Sequence, residues 1–172
     1  MLTNHTPFTD PNDKPTGCCP RFAPDAWEDQ TLHFRGKPFV RAVTHNENFV
    51  PTDMGPVFAA TFGAIEEAGA ADPRHALVLS RDLSPEETEH LFAVTRDVPG
   101  AEMVRLDGDY RTRVFEGSYA DTPLWEDAMA TGLADEGLMS DPLYFFFTTC
   151  PRCAEAYGKN YVMGVARVAA QE

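Results

Sequence analysis

The alternation of apolar and polar positions becomes readable from Pro38 onward. At 39 to 45 the run FVRAVTH places Phe39, Arg41 and Val43 on one face and Val40, Ala42 and Thr44 on the other, the period of two that marks a strand. Between 53 and 69 the period lengthens. Met54, Val57, Phe58, Phe62 and Ile65 recur at three- and four-residue intervals, after a capping Thr52 and before a terminating Gly69, which predicts an amphipathic helix. Two β-prone runs follow, ALVLS at 76 to 80 and HLFAVTR at 90 to 96, and the Ser-Pro and charges of RDLSPEETE between them predict an exposed hairpin connection. Pro99-Gly100 then breaks the pattern.

After the break the same order returns. YRTRVFEGSY at 110 to 119 alternates as a strand, and Thr122-Pro123 opens a helix over 122 to 137 with Leu124, Trp125, Ala128, Met129 and Leu133 on its apolar side. LYFFFTT at 143 to 149 and YVMGVARV at 161 to 168, joined by CPRCAEAYGKN, predict a second hairpin. Each half reads strand, helix, strand, strand, over 38 to 98 and 101 to 169, within one α+β domain spanning 1 to 172; recurrence at matching length points to a structural duplication. Residues 1 to 17 have no apolar period and predict a flexible leader. The rest of an irregular N-terminal segment, 18 to 37, carries Phe22, Trp27, Leu32 and Phe34 and predicts a loop pressed onto the core.

A chain of 172 residues with 43% apolar residues, 12 Phe, 5 Tyr and 2 Trp can bury a core without disulfide staples, which excludes wholesale disorder. Twenty-seven acidic against 14 basic residues give a net charge of -13, which repels phosphate backbones and anionic bilayers and argues against nucleic-acid and membrane partners. No apolar run reaches the length of about 18 that a membrane helix needs, and MLTNHTPFTDPNDKPTG lacks the apolar stretch of a signal peptide. The expectation is a cytoplasmic protein.

Four cysteines occur as two compact pairs, Cys18-Cys19 and Cys150-Pro151-Arg152-Cys153, far apart along the chain. A Cys-Pro-x-Cys turn presents two sulfurs to one soft metal ion, and the distant pair would complete a tetrahedral thiolate site for a structural zinc. Adjacent side chains diverge, so one of Cys18 and Cys19 is expected to be a spectator, with His5, His33 or water in its place. A redox dithiol and inert cysteines stay open as alternatives. The redox reading is weakened by placing Cys150 and Cys153 in a hairpin loop and not at a helix N-terminus, where thiol pKa values fall.

RVFEGSY, followed by a Trp-containing amphipathic helix and a terminal hairpin, resembles the GyrI-like small-molecule-binding family, over about 130 residues. Gly117-Ser118-Tyr119 stands where that family has a Gly-Pro-Tyr-like turn, and the cysteine-bearing hairpin and long N-terminal segment also depart from it. The resemblance implies two βαββ modules with pseudo-twofold symmetry, an antiparallel-rich sheet with its helices on one side, and a groove between the modules for an amphiphilic, in some relatives cationic, ligand; one branch hydrolyses electrophilic natural products. GCCPRF and TTCPRCAEAYGKNY further resemble segments of bacterial and archaeal proteins that carry a hydrolase designation, which implies little about chemistry.

In that frame Tyr119, Trp125, Tyr144 and Phe146 are the expected ligand-binding walls, since four consecutive aromatics from Tyr144 to Phe147 must send about two away from the helix layer. The competing reading covers them with Phe22, Trp27 and Phe34. Glu116 and Tyr119 flank the strand-to-helix turn and are the candidate catalytic pair, a general base and a phenol that orients water. There is no phosphate loop, no Gly-x-Ser-x-Gly elbow and no His-Glu-x-x-His helix. Two functions remain in view: a small-molecule-binding domain with possible hydrolase chemistry, or a zinc-stabilised interaction or thiol-redox module without a small substrate.

Overall fold

The computed structural model describes residues 2–170. Its elements in chain order are β1 (Thr31–Glu47), β2 (Val50–Pro51), α1 (Met54–Glu67), β3 (Val78–Ser84), β4 (Glu87–Ala93), β5 (Glu102–Glu116), α2 (Thr122–Asp135), β6 (Leu138–Phe147), α3 (Pro151–Tyr157) and β7 (Tyr161–Ala170). Setting aside the short β2 and α3, this is strand, helix, strand, strand twice over, an α+β fold of tandem βαββ modules.

All pairings between strands are antiparallel, in the order β2-β1-β4-β3-β6-β7-β5, and β5 pairs back onto β1. Six strands therefore close a ring. Exchanging the modules turns β1-β4-β3 into β5-β7-β6, so the order reads the same from either end of the β3–β6 seam, as a pseudo-twofold axis requires. That seam is thin, a single register pair between Ser80 and Phe145.

Register partners share a face, and this fixes the layers. Val40 opposes Phe92, Phe92 opposes Val78, and Ser80 opposes both His90 and Phe145. Val40 and Phe92 pack with Ile65 of α1, while Phe145, Phe115 and Val162 pack with Trp125, Met129 and Leu133 of α2. Both helices thus lie on the outer face. The alternate residues point inward: Leu32, Phe34, Phe39, Leu79, Leu91, Tyr110, Tyr144, Met163 and Val165 form one interior core, closed by Trp27 from the N-terminal segment.

The segment before 38 is more ordered than its composition predicts. β1 begins at Thr31, with Leu32 and Phe34 alternating inward, and a bulge at Gly36 (φ 60°) resets the register before Lys37. Residues expected to form a flexible leader lie against the barrel: Thr3 bridges His33, Asn4 N donates to the His33 carbonyl, and Thr6 is fully buried. The first hairpin turns at Pro85 and Glu86, so most of RDLSPEETE is strand; its Arg81 and Glu89 are opposed and ion-paired, and their polarity hides the alternation. No described helix is long and apolar enough to cross a membrane.

Candidate metal centre

The four cysteine sulfurs converge, all within 4.8 Å of one another. Cys150 is the N-cap of α3, with Pro151 at its first position, so Cys153 falls in the first turn on the same side. This corrects the loop expected for CPRC: Pro151 starts a helix and Gly158, at φ 77°, ends it. The second pair comes from the bend after Gly17 (φ 75°). Because that stretch is bent and not extended, Cys18 and Cys19 do not diverge, and their sulfurs are 3.6 Å apart. Both sulfurs lie within the cluster.

Polar groups hold the sulfurs in place. Thr16 Oγ1 lies 3.1 Å from Cys153 Sγ and 3.0 Å from the Tyr157 hydroxyl, which donates to the Cys19 carbonyl at 2.5 Å. Cys150 N–H donates to Cys19 Sγ at 3.5 Å. The thiols are electrostatically unequal. Hydrogen bonding from Thr16 draws the buried Cys153 down to about 6, whereas burial pushes Cys19 up to about 12. Four sulfurs cannot all ionise at this spacing without a cation among them.

Tyr119 borders this centre without entering it. Its hydroxyl donates to the Thr149 carbonyl at 2.8 Å, and burial followed by the Cys150, Cys19 and Cys153 thiols raises it above the usual tyrosine value. Glu116 is exposed at the end of β5, and its carboxylate has no partner among the described residues. The turn between them is shaped by Gly117, Ser118 and Asp121: Ser118 N–H donates to Asp121 Oδ2 at 3.1 Å, and Ala120 N–H to Ser118 Oγ at 3.3 Å.

The four expected ligand-binding aromatics fall into two groups. Trp125 lies on the outer face, stacked on Phe115 at 5.5 Å and tilted against Phe145, and Tyr119 packs on Phe147 there. Tyr144 and Phe146 point into the barrel, where Trp27 packs edge-on to Phe146 at 6.0 Å and Phe22 tilts against Trp27. The barrel wall separates the two groups, so the structure does not bring them into one cleft, and the N-terminal aromatics provide the cover. An open cleft of about 410 Å³ lies between α2, β5 and the N-terminal segment. Met129 and Leu133 form its apolar side, and Arg111 spans it, bound to Asp29 and Glu136 at 2.6 Å each.

Two further residues, Thr16 and Tyr157, brace the sulfur cluster. Thr16 stands two residues before Cys18, and Tyr157 follows Cys153 by one helical turn, a spacing that places both on one helix face.

No curated protein matches the sequence. Among solved structures, an uncharacterised conserved protein from Listeria innocua shares 10% identity at a TM-score of 0.57, covering 83% of this chain and 93% of that one. A protein solved bound to tetraphenylphosphonium shares 12% identity at a TM-score of 0.49, covering 83% and 94%. At these identities the first likeness establishes a common fold. A family model described as bacterial hydrolase matches residues 9–168, most of the length that folds into the barrel, and the chain belongs to that family.

Proposed function

We propose that Cys18, Cys19, Cys150 and Cys153 hold one zinc ion as a structural centre that fastens the N-terminal segment to α3. The observation that carries this reading is the mutual approach of four sulfurs within 4.8 Å. Zinc–sulfur bonds of about 2.3 Å in a tetrahedron require sulfur–sulfur edges of about 3.8 Å, so only small adjustments separate the cluster from a closed site. Zinc supplies the positive charge that lets all four thiols ionise, and the Thr16 hydroxyl and Cys150 N–H orient the sulfurs around it. Four protein ligands leave no open position for substrate.

The test is elemental analysis of protein purified without chelators, followed by replacement with cobalt. One zinc per chain and the sulfur-to-cobalt charge-transfer absorption of a tetrahedral thiolate site are expected, and iron in its place would identify a different centre. Cys153→Ser should release the metal. A link closing so long a loop contributes about 4 kcal/mol, so the melting temperature should fall by roughly 8 to 16 °C. Substoichiometric metal with no cobalt spectrum would overturn the reading.

A second reading, small-molecule binding, is favoured by the open cleft at Arg111. Its apolar Met129 and Leu133, with Glu28, Asp29 and Glu136 outnumbering Arg111 and Arg113, suit an amphiphile with a cationic group. A Met129→Glu substitution should abolish any thermal shift given by hydrophobic amines, and a shift that survives it places the ligand elsewhere.

A further inference from the structure

Lys37 is an unusual residue for a barrel interior. It follows the Gly36 bulge, points inward beside Phe34 and Phe39 with its ammonium 5.8 Å from each ring, and is 9% exposed. Its one hydrogen bond among the described residues is to the Asn4 carbonyl at 3.3 Å, and no carboxylate there lies within ion-pair distance. A buried cation without a counter-ion is costly, so sites of this kind favour the neutral amine. Burial lowers Lys37 below the ordinary lysine value, with partial compensation from Asp72.

The residue also lines a pocket of about 270 Å³ at one end of the barrel, shared with Asn4, His5, Thr6, Asp72 and His75 among others. His75 Nδ1 is 2.9 Å from Asp72 Oδ2, and the His5 and His75 rings are 5.5 Å apart. A carboxylate only accepts, so Nδ1 carries the proton, and in the neutral ring Nε2 is left as a free base.

We infer that this pocket is a second site, in which the Lys37 amine bonds covalently to a small aldehyde or ketone with His75 as the proton carrier. The nitrogen lone pair attacks the carbonyl carbon, forming the C–N bond while the C=O π pair moves to oxygen. His75 takes a proton from nitrogen and delivers it to that oxygen, and loss of water leaves the imine. No oxidant or reductant is consumed. The volume falls just below the usual range of small-molecule sites, so the ligand is small. The assignment is independent of the cysteine centre.

The chain has three lysines, and Lys14 and Lys159 are exposed. Full-length, metal-loaded protein would be incubated near neutral pH with butyraldehyde and cyanoborohydride, and each lysine's adduct followed by peptide mass mapping. The imine at Lys37 should be trapped as the N-butyl amine faster than at Lys14 or Lys159, because burial raises its share of free amine. The preference should vanish in urea. His75→Ala should slow trapping at Lys37 and leave Lys14 and Lys159 unchanged. A folded wild-type protein in which Lys37 reacts no faster than the exposed lysines overturns the site, and an unchanged Lys37 rate in His75→Ala overturns the role of His75. Metal content measured before and after trapping separates either result from loss of the cysteine centre.

Discussion

Replacing Glu89 by Gln removes a charge that two arginines share. Glu89 is buried in the barrel interior, where Arg41 Nε donates to Oε2 at 2.6 Å and Arg81 Nε to Oε1 at 2.9 Å. Burial alone would raise this carboxyl, and the two guanidiniums more than offset it, holding it below the ordinary glutamate range. Removing one member of a fully buried pair costs about 3–5 kcal/mol, because the charge left behind has no counter-ion. Two features reduce the cost here: Arg41 keeps Glu102 at 3.3 Å, and the Arg81 side chain is 37% exposed and recovers hydration. The expected loss is about 2–3 kcal/mol, or roughly 5 to 10 °C in melting temperature for a domain of this size. The pH dependence has a definite sign. A carboxyl whose folded pKa lies below its unfolded value stabilises fully at neutral pH, and the effect disappears as pH falls from about 4.3 through the lower folded value. Urea unfolding of both proteins across this range is the assay. Equal midpoints at neutral pH, or a difference that persists undiminished in acid, would refute the argument.

His90 is fully buried between Thr44 Oγ1 at 2.8 Å and Ser80 Oγ at 2.7 Å, and burial lowers it to about 4. Its contribution to stability should be complete above about 6.5 and be lost as pH falls toward 4, with a slope of at most about 1.4 kcal/mol per pH unit; His90→Gln should flatten an unfolding-free-energy profile across that window. Gly117, at φ 154°, faces Asp121 Oδ2 and Trp125 Cζ2, which a Cβ would meet at 2.8 and 3.4 Å. Gly117→Ala should therefore destabilise by about 1–3 kcal/mol, and an unchanged thermal midpoint would show that the turn accommodates a side chain.

Periodicity carried most of the fold. Phe39 to Thr44, Met54 to Ile65 and Leu124 to Leu133 announce their elements by the spacing of apolar residues, although Phe62 and Leu124 of that pattern end up exposed. What stayed hidden is where burial is polar or the chain is bent. Glu89 and Arg81 look like loop residues because each charge is satisfied by the other across strands, information absent from either segment alone. CPRC looks like a loop because its helix has only seven residues, too few for a period. The convergence of Cys18 and Cys19 depends on backbone bending at Gly17, and Tyr144 is separated from Trp125 because they lie on opposite faces of the sheet. The cysteines were identifiable by residue type, and Lys37 was not, because a single lysine in a sequence has no signature of burial.

Ring closure also bears on how the chain must be made. During synthesis β1 emerges long before β5, and its edge facing Glu102–Arg111 has no partner until that stretch has left the ribosome. Until then the nascent chain exposes an extended apolar strand able to recruit a neighbouring copy, the hazard of pairings distant in sequence. The first half can complete β1, β3 and β4 at once, and the acidic excess keeps neighbouring chains apart meanwhile. Only when β6 and β7 have followed β5 do the last edges of the ring disappear, and the thin β3–β6 seam is left as the place where the wall would first come apart.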